Sequence, residues 1–368
     1  MPALNLSEFC LEACDGLNTL TSDNIILIIN ENRDGNPFDI TVTAILINIA
    51  DACTMAGKVN PAMSTNGPFE YPVKTRDLHN HHFDSTIWDD LKFRDDDIVI
   101  ATYAKSGTTW MQQIIGQLLF DGDSELTVAD CSPWLDLRVP PKSIKLPQVE
   151  AQTHRRFLKT HLPVDALRFS SRAKYIYIAR DGRDVVWSLY NHHANANQIW
   201  YDALNETPGL VGAPIERPPN DIREYWQDWL TRDGFPFWSF WDNVRSWWRI
   251  RHLPNVMLMH FSELKQDMPE AIRAIAGFLQ IPINEARWPA ILEHCSFEWM
   301  KKNATRSVPL AGAFWDAGAE VFIHKGVNGR WASTLTEQDC RQYEQKAARE
   351  LGDECAQWLA TGLSHQSS

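Results

Sequence analysis

Positive charge is in short supply in this chain: 35 Lys and Arg stand against 47 Asp and Glu, a net charge of −12 over 368 residues. That balance excludes a general nucleic-acid-binding surface and means that any anion site has to gather its cations locally. Cysteine is sparse as well. The seven cysteines (10, 14, 53, 131, 295, 340 and 355) are odd in number and include no C-x-x-C pair. Neither a metal framework nor a disulfide scaffold follows from them, and reduced thiols in a cytoplasm are the expectation. Long apolar runs are missing too: Ile25–Ile29 and Ile40–Ile49 are short or broken by polar residues and fall below the ~20 residues of a membrane span. The segment 1–62 has only Arg33 and Lys58 as bases, the wrong pattern for a targeting leader. His79, His81 and His82 form neither an i, i+4 pair nor a set with a nearby cysteine, so no metal is assigned to them.

What the chain does contain is ordinary for a globular enzyme, with 44% apolar and 22% charged residues. Its most telling stretch is IVIATYAKSGTTW, Ile98–Trp110. A β-branched apolar run stops in a polar turn bearing glycine, and a helix-compatible segment, Met111–Phe120, follows. Strand, tight loop and helix form an anion cradle: Gly107 lets the backbone approach, the helix start offers unpaired N–H groups, and Lys105 adds a full charge. Ser106, Thr108 and Thr109 contribute hydroxyls. The Walker spacing G-x-x-x-x-G-K-[ST] is absent, because Lys105 precedes Gly107. A second strand-to-turn junction lies in KYIYIARDGRDVVWS, where Arg180 ends an alternating apolar run. Its forked guanidinium suits a terminal phosphate.

TYAKSGTTW resembles the TYPKSGTTW loop of the cytosolic-type, PAPS-dependent sulfotransferases, and the chain is identified as a member of that family of bacterial-like type. Ala104 stands at the proline position. In the family this loop holds the 5′-phosphosulfate of 3′-phosphoadenosine 5′-phosphosulfate (PAPS), which leaves as 3′-phosphoadenosine 5′-phosphate (PAP). Three further segments match in family order. FLKTHLP resembles the KTHLP segment, which makes His161 the acceptor's general base and Lys159 a neutraliser of the transferring sulfonate; an imidazole titrating near neutrality suits the first task. Arg180 and Ser188 match the 3′-phosphate motif, and Ser188 is also expected to restrain Lys105. HCSFEWMKKN resembles HTSF-x-x-MKKN, which places Phe297 and Trp110 on the two faces of adenine, with Cys295 in place of a threonine. FIHKGVNGRW resembles RKG-x-x-GDW, whose first three residues close over the 3′-phosphate. Here they are His324, Lys325 and Gly326, with His324 replacing arginine and Arg330 replacing aspartate. Neutral imidazole lacks the guanidinium's fixed charge, so a weaker grip on that phosphate is expected.

Apolar runs at 156–160, 175–179 and 256–261, with helical patterns between, imply an α/β, P-loop-like single domain: a central parallel sheet flanked by helices on both faces, with ligands at the strands' carboxyl ends. The expected division is an N-terminal extension, 1–62, and a sulfotransferase domain, 63–368. The extension matches nothing in the family. A small helical segment, a poorly ordered tail and translated upstream sequence with Met63 as the natural start are its readings. Tyr190–Pro236 shows no clean period. Trp238, Trp241, Arg245 and Trp248 recur at helical spacing, which favours core packing over a substrate cage. Met268–Leu279 reads as an amphipathic helix and Ser364–Ser368 as a frayed tail.

The resemblance implies sulfonate transfer from PAPS to a hydroxyl or amine of a small, apolar or aromatic acceptor, without metal, nucleic-acid or membrane partners. A P-loop nucleotide kinase and a nucleotide-binding protein without catalysis remain the alternatives. Many family members dimerise through K-x-x-x-T-V-x-x-x-E; Ala332, Thr336, Glu337 and Arg341 fill the aligned positions, so a dimer is expected to need another contact.

Overall fold

The computed structural model describes residues 69–363 together with two strand stretches nearer the N-terminus. β1 (Ile25–Glu31) and β2 (Ile40–Leu46) pair antiparallel, with Ile25 opposite Leu46 and Glu31 opposite Ile40. They belong to a unit of residues 1–66, distinct from the unit of residues 67–368. A helical reading does not describe these two stretches, whose β-branched residues favour extended chain. The rest of segment 1–62, the start at Met63 and the Ser364–Ser368 tail lie outside the described residues.

In the larger unit, β3 (Ile98–Thr102), β4 (Phe157–Thr160), β5 (Lys174–Ala179) and β6 (Val256–His260) make a parallel sheet in the order β4-β3-β5-β6. Ile98 pairs with both Phe157 and Lys174, and Tyr175 pairs with Val256. Successive side chains point to opposite faces, and both faces are covered. Val99, Ala101, Tyr175 and Tyr177 enter one apolar core; Ile98, Ile100, Ile176 and Ile178 enter the other. The strands are therefore mostly apolar on both faces, their polar residues falling mainly at strand ends (Thr102, Lys159, Thr160, Lys174 and His260).

The main helices are α1 (Thr108–Leu119), α2 (Gly182–Ala194), α3 (Gln198–Asn205), α4 (Ile222–Thr231), α5 (Phe240–Arg249), α6 (Met268–Leu279), α7 (Phe297–Lys302) and α8 (Glu337–Leu351). α1 and α6 cover one face through Ile114, Ile115, Ile272, Ile275 and Leu279. α2, α4 and α5 cover the other through Val185, Trp229, Trp241 and Trp247. α1 starts three residues before Met111, because Gly107 at φ 117° reverses the chain and lets its carbonyl accept from Met111 N–H at once. Tyr190–Pro236, which shows no period in sequence, contains α3 and α4. Their buried Trp200, Tyr201, Trp226 and Trp229 supply the packing that its Asn and Pro content masks.

The tryptophan stripe divides. Trp241 is buried in the core, and Trp248 packs against Trp358 with ring centroids 4.9 Å apart, but Trp238 precedes α5 and turns toward the sheet's carboxyl edge. Thr336 caps α8, accepting from Asp339 N–H at 3.2 Å, while Arg341 pairs with Glu337 at 3.1 Å within the same helix. Thr336, Glu337 and Arg341, three of the four residues at the usual dimer-segment positions, thus have partners within their own chain.

Candidate active site

The chain runs from β3 outward to β4 on one side and from β5 outward to β6 on the other, so a crevice opens between the carboxyl ends of β3 and β5. Lys105 follows β3 and Arg180 follows β5. One cavity at this edge brings together Lys105, Gly107, Thr108, Thr109 and Trp110 with Lys159, His161, Arg180 and Ser188. Phe297, His324, Lys325 and Gly326 complete its wall from the C-terminal third of the chain. Ser106 and Cys295 are not part of that wall. Both are buried, and the Cys295 carbonyl accepts from the Trp110 indole N–H at 2.8 Å, fixing the ring by backbone instead of side chain.

Loop geometry explains the proximity. Lys105 adopts φ 67°, and a Cβ on Gly107 would come within 2.9 Å of Ile178 and 3.0 Å of Phe261, so α1 seats directly on β5. Lys105 Nζ lies 3.7 Å from the centroid of the Phe322 ring, and Lys159 Nζ lies 4.6 Å from that of Trp134. Burial, followed by the like charges of Lys159 and Arg180, pulls Lys105 down to about 7; burial pulls Lys159 down to about 8. Six cations line the cavity against Asp184 as the one carboxylate, in a chain of net charge −12. Such a space suits an anion.

His161 is held by its Nδ1, 2.7 Å from the Thr102 carbonyl oxygen. A carbonyl only accepts, so Nδ1 carries the proton and Nε2 keeps its lone pair. Nε2 has no hydrogen-bond partner among the described residues. Burial, then the nearby Lys159, holds the imidazole well below its ordinary range, hence neutral at physiological pH. Thr102 Oγ1 stands 3.0 Å from the same Nδ1 and 2.7 Å from Thr108 Oγ1, tying the histidine to the first turn of α1. Asp136, fully buried, accepts from the indoles of Trp134 at 2.7 Å and Trp88 at 3.1 Å and from His161 N–H at 3.3 Å. Trp134 then meets the imidazole edge-on, centroids 4.6 Å apart.

Comparison with known proteins settles the family. The family described as "Sulfotransferase domain" matches residues 95–354. A glycolipid sulfotransferase of Mycobacterium bovis is 28% identical over 317 residues, covering 80% of this chain and 97% of that protein. Mouse sulfotransferase 1B1 is 33% identical over 260 residues, 67% of this chain and 80% of its own. Among solved structures, mouse sulfotransferase SULT7A1, crystallised with PAP, aligns with a TM-score of 0.58 at 21% identity over 75% of this chain and 92% of that one. The chain belongs to the PAPS-dependent sulfotransferase family.

The structure adds to this sulfotransferase's cavity residues to which the sequence assigns no site role, Trp238 among them, which the tryptophan stripe places in the core. His82, Phe237 and Trp238 join Trp134 in an aromatic wall beside His161, with His82 stacked on Trp134 at 5.8 Å and Phe237 at 5.5 Å from His82. They come from segments far apart in sequence, and no short pattern announces them. His79 instead lies 3.6 Å from Asp84. Among the described residues, no group of three or more His, Cys, Asp or Glu could hold a metal, and no helix is long and apolar enough to cross a membrane. Asp184 accepts from Gly329 N–H at 2.7 Å, and Lys265 donates to the Gly326 carbonyl at 2.6 Å, so both pin the C-terminal segment over the cavity. Arg180 does the same, donating to Val327 O at 2.9 Å and Asn328 Oδ1 at 3.0 Å. The two family departures face each other: Arg330 donates to His324 Nδ1 at 2.7 Å.

Proposed function

We propose that this sulfotransferase moves the sulfonate of PAPS to the hydroxyl or amine of a small apolar or aromatic acceptor, with His161 as general base. The observation that carries the reading is the tautomer of His161: Nδ1–H is committed to the Thr102 carbonyl, leaving Nε2 as the free acceptor in the cavity shared with Lys105 and Lys159. Nε2 takes the acceptor's proton as its oxygen bonds to sulfur, and the bond from sulfur to the bridging oxygen of the donor breaks. Charge then grows on that oxygen. Lys105, Thr108, Thr109 and the first N–H groups of α1 offset it, a case of preorganised electrostatics. Lys159 neutralises the equatorial sulfonate oxygens, Trp110 and Phe297 flank the adenine, and Arg180 and Ser188 take the 3′-phosphate. Gly326 supports the adenine site directly, since a Cβ there would meet the Phe297 ring at 2.6 Å.

The acceptor's place is the aromatic wall of His82, Trp134, Phe237 and Trp238, which favours flat or apolar molecules over sugars. The mycobacterial relatives are named for glycolipids, and a glycolipid is the natural second acceptor class to offer. Transfer of radiolabelled sulfonate from PAPS to a panel of phenols, alcohols, amines and a glycolipid, beside Lys105→Ala and His161→Ala, tests the proposal. Labelled product from the wild type that both variants lose is the expected result. Tight PAPS binding with no product from any acceptor would instead favour a binding protein, and normal turnover by His161→Ala would remove its role as base.

A further inference from the structure

Two positions of the C-terminal segment depart from the family, and they touch. His324 stands where the pattern has arginine, Arg330 stands where it has aspartate, and Arg330 donates to His324 Nδ1 at 2.7 Å. Read separately, the first change removes a cation from the cavity and the second adds an unexplained one. Read together, they move a guanidinium six positions along the chain while keeping it in the same wall.

Arg330 is placed to use that charge. Its guanidinium also donates to the Trp187 carbonyl at 3.1 Å, next to Ser188, and both Arg330 and Ser188 line the cavity. Of the five N–H donors of a guanidinium, those two contacts leave three unassigned. Arg180 and Arg330 are close enough for each to feel the cavity's charge. Burial lowers Arg180, and the positive Arg330 is among the causes that lower it further, while Asp184 offsets both. Two guanidiniums lining one half-buried space, with a single carboxylate already bonded to Gly329 N–H, match a dianion such as a phosphate monoester.

We propose that Arg330 binds the 3′-phosphate of the donor together with Arg180, and that His324 serves to orient Arg330 instead of touching the phosphate as a cation. The proposal rests on the PAPS reading above. It makes the pair His324–Arg330 a relocated phosphate clamp and removes the expected weakness toward that group.

The test compares two nucleotides that differ only in the group at issue: PAP and AMP, titrated by calorimetry into the full chain. Wild type binding PAP far more tightly than AMP is the precondition. Equal affinity for the two, or no binding of PAP, would overturn the PAPS reading itself, before any variant is made. In Arg330→Ala the PAP dissociation constant is expected to rise roughly 10- to 100-fold, the scale of a lost charge-assisted pair, with AMP binding unchanged. A purely structural Arg330, holding residues 324–330 in place, predicts something else. Loosening that segment disturbs Gly326 beneath Phe297 and weakens AMP as much as PAP, and that outcome would overturn the proposal. Arg330→Lys guards against a folding failure in the alanine variant. Charge without the fork should give an intermediate loss for PAP and none for AMP, whereas equal losses for both nucleotides would again count against it.

Discussion

On the proposed reading, the donor half and the acceptor half of the cavity are built in different ways. The donor half comes from strand-end loops and the C-terminal segment: Lys105–Trp110 after β3, Arg180 after β5, and His324–Arg330. Its work is done by backbone N–H groups, glycines and fixed charges, each tied to a particular position in a short segment. The acceptor half is a wall of rings drawn singly from His82, Trp134, Phe237 and Trp238. There, any flat apolar side chain of the right size would serve, so shape rather than sequence order carries the specificity. His161 sits on the border, bonded by Nδ1 to the strand that feeds the donor loop and edge-on to Trp134 of the acceptor wall.

If the border is real, removing His161 should abolish chemistry without emptying the donor site. His161→Ala is expected to lower kcat roughly 100- to 10,000-fold, with PAP affinity near that of the wild type. Stopped-flow or steady-state turnover beside PAP calorimetry checks it. A parallel loss of PAP affinity would mean that the histidine is part of the donor half. The next largest effect belongs to Gly326→Ala. At φ +59°, with a would-be Cβ 2.6 Å from the Phe297 ring, any side chain displaces that ring, the proposed adenine platform. PAP affinity should fall roughly 5- to 30-fold, the scale of a strained left-handed residue, while the acceptor KM stays put.

The contrast between the halves also explains what could be read from residues alone. β4, β5 and β6 were legible to within a residue, because runs such as Tyr175–Ala179 are apolar on both faces. Met268–Leu279 was legible for the opposite reason, one apolar stripe through Ile272, Ile275 and Leu279. α3 and α4 were not, since Asn and Pro around Tyr190–Pro236 hide tryptophans whose helical role depends on what they pack against. In the cavity, Lys105, Arg180 and Lys325 fall in the expected wall, whereas Ser106 and Cys295 are buried outside it. A motif gives residue identity and not side-chain direction, and in the Cys295 case the backbone carbonyl makes the contact. Thr102, which orients His161, lies on a strand where a buried threonine looks like any β-branched residue. The link between His324 and Arg330 spans a loop, whose path no local residue pattern fixes.

A smaller effect sharpens the acceptor side. Phe237 touches His82 and Trp238 at ring distances of 5.5 and 5.6 Å and belongs to none of the donor segments. Phe237→Leu keeps apolar bulk and removes the ring, so the KM for a phenolic acceptor should rise roughly 2- to 12-fold, the scale of one aromatic pair. PAP affinity should not move. A change in PAP affinity without one in KM would place Phe237 on the wrong side of the border.

The mildest prediction separates the halves by protons. Burial, then neighbouring cations, lowers Lys105 to about 7, and burial lowers Lys159 to about 8, from an ordinary 10.5. In the free protein these lysines therefore lose charge as pH climbs through 7 to 8. The bound 5′-phosphate of PAP favours the charged form of Lys105 above all and lifts its value, so binding takes up protons in this window. By linkage, affinity must then fall as pH rises, by at most about tenfold per pH unit for each proton taken up. The histidines of the acceptor side behave oppositely. Burial holds His161 and His82 well below 6.5, so both are neutral throughout the same range and contribute no slope. PAP calorimetry at pH 8 in two buffers of different ionisation heat should register net proton uptake, and Lys105→Arg, charged at every pH tested, should shrink it. A buffer-independent heat would mean that the free cavity already holds its lysines charged. The donor half would then be wetter than its burial implies, and the electrostatic difference between the two halves would disappear.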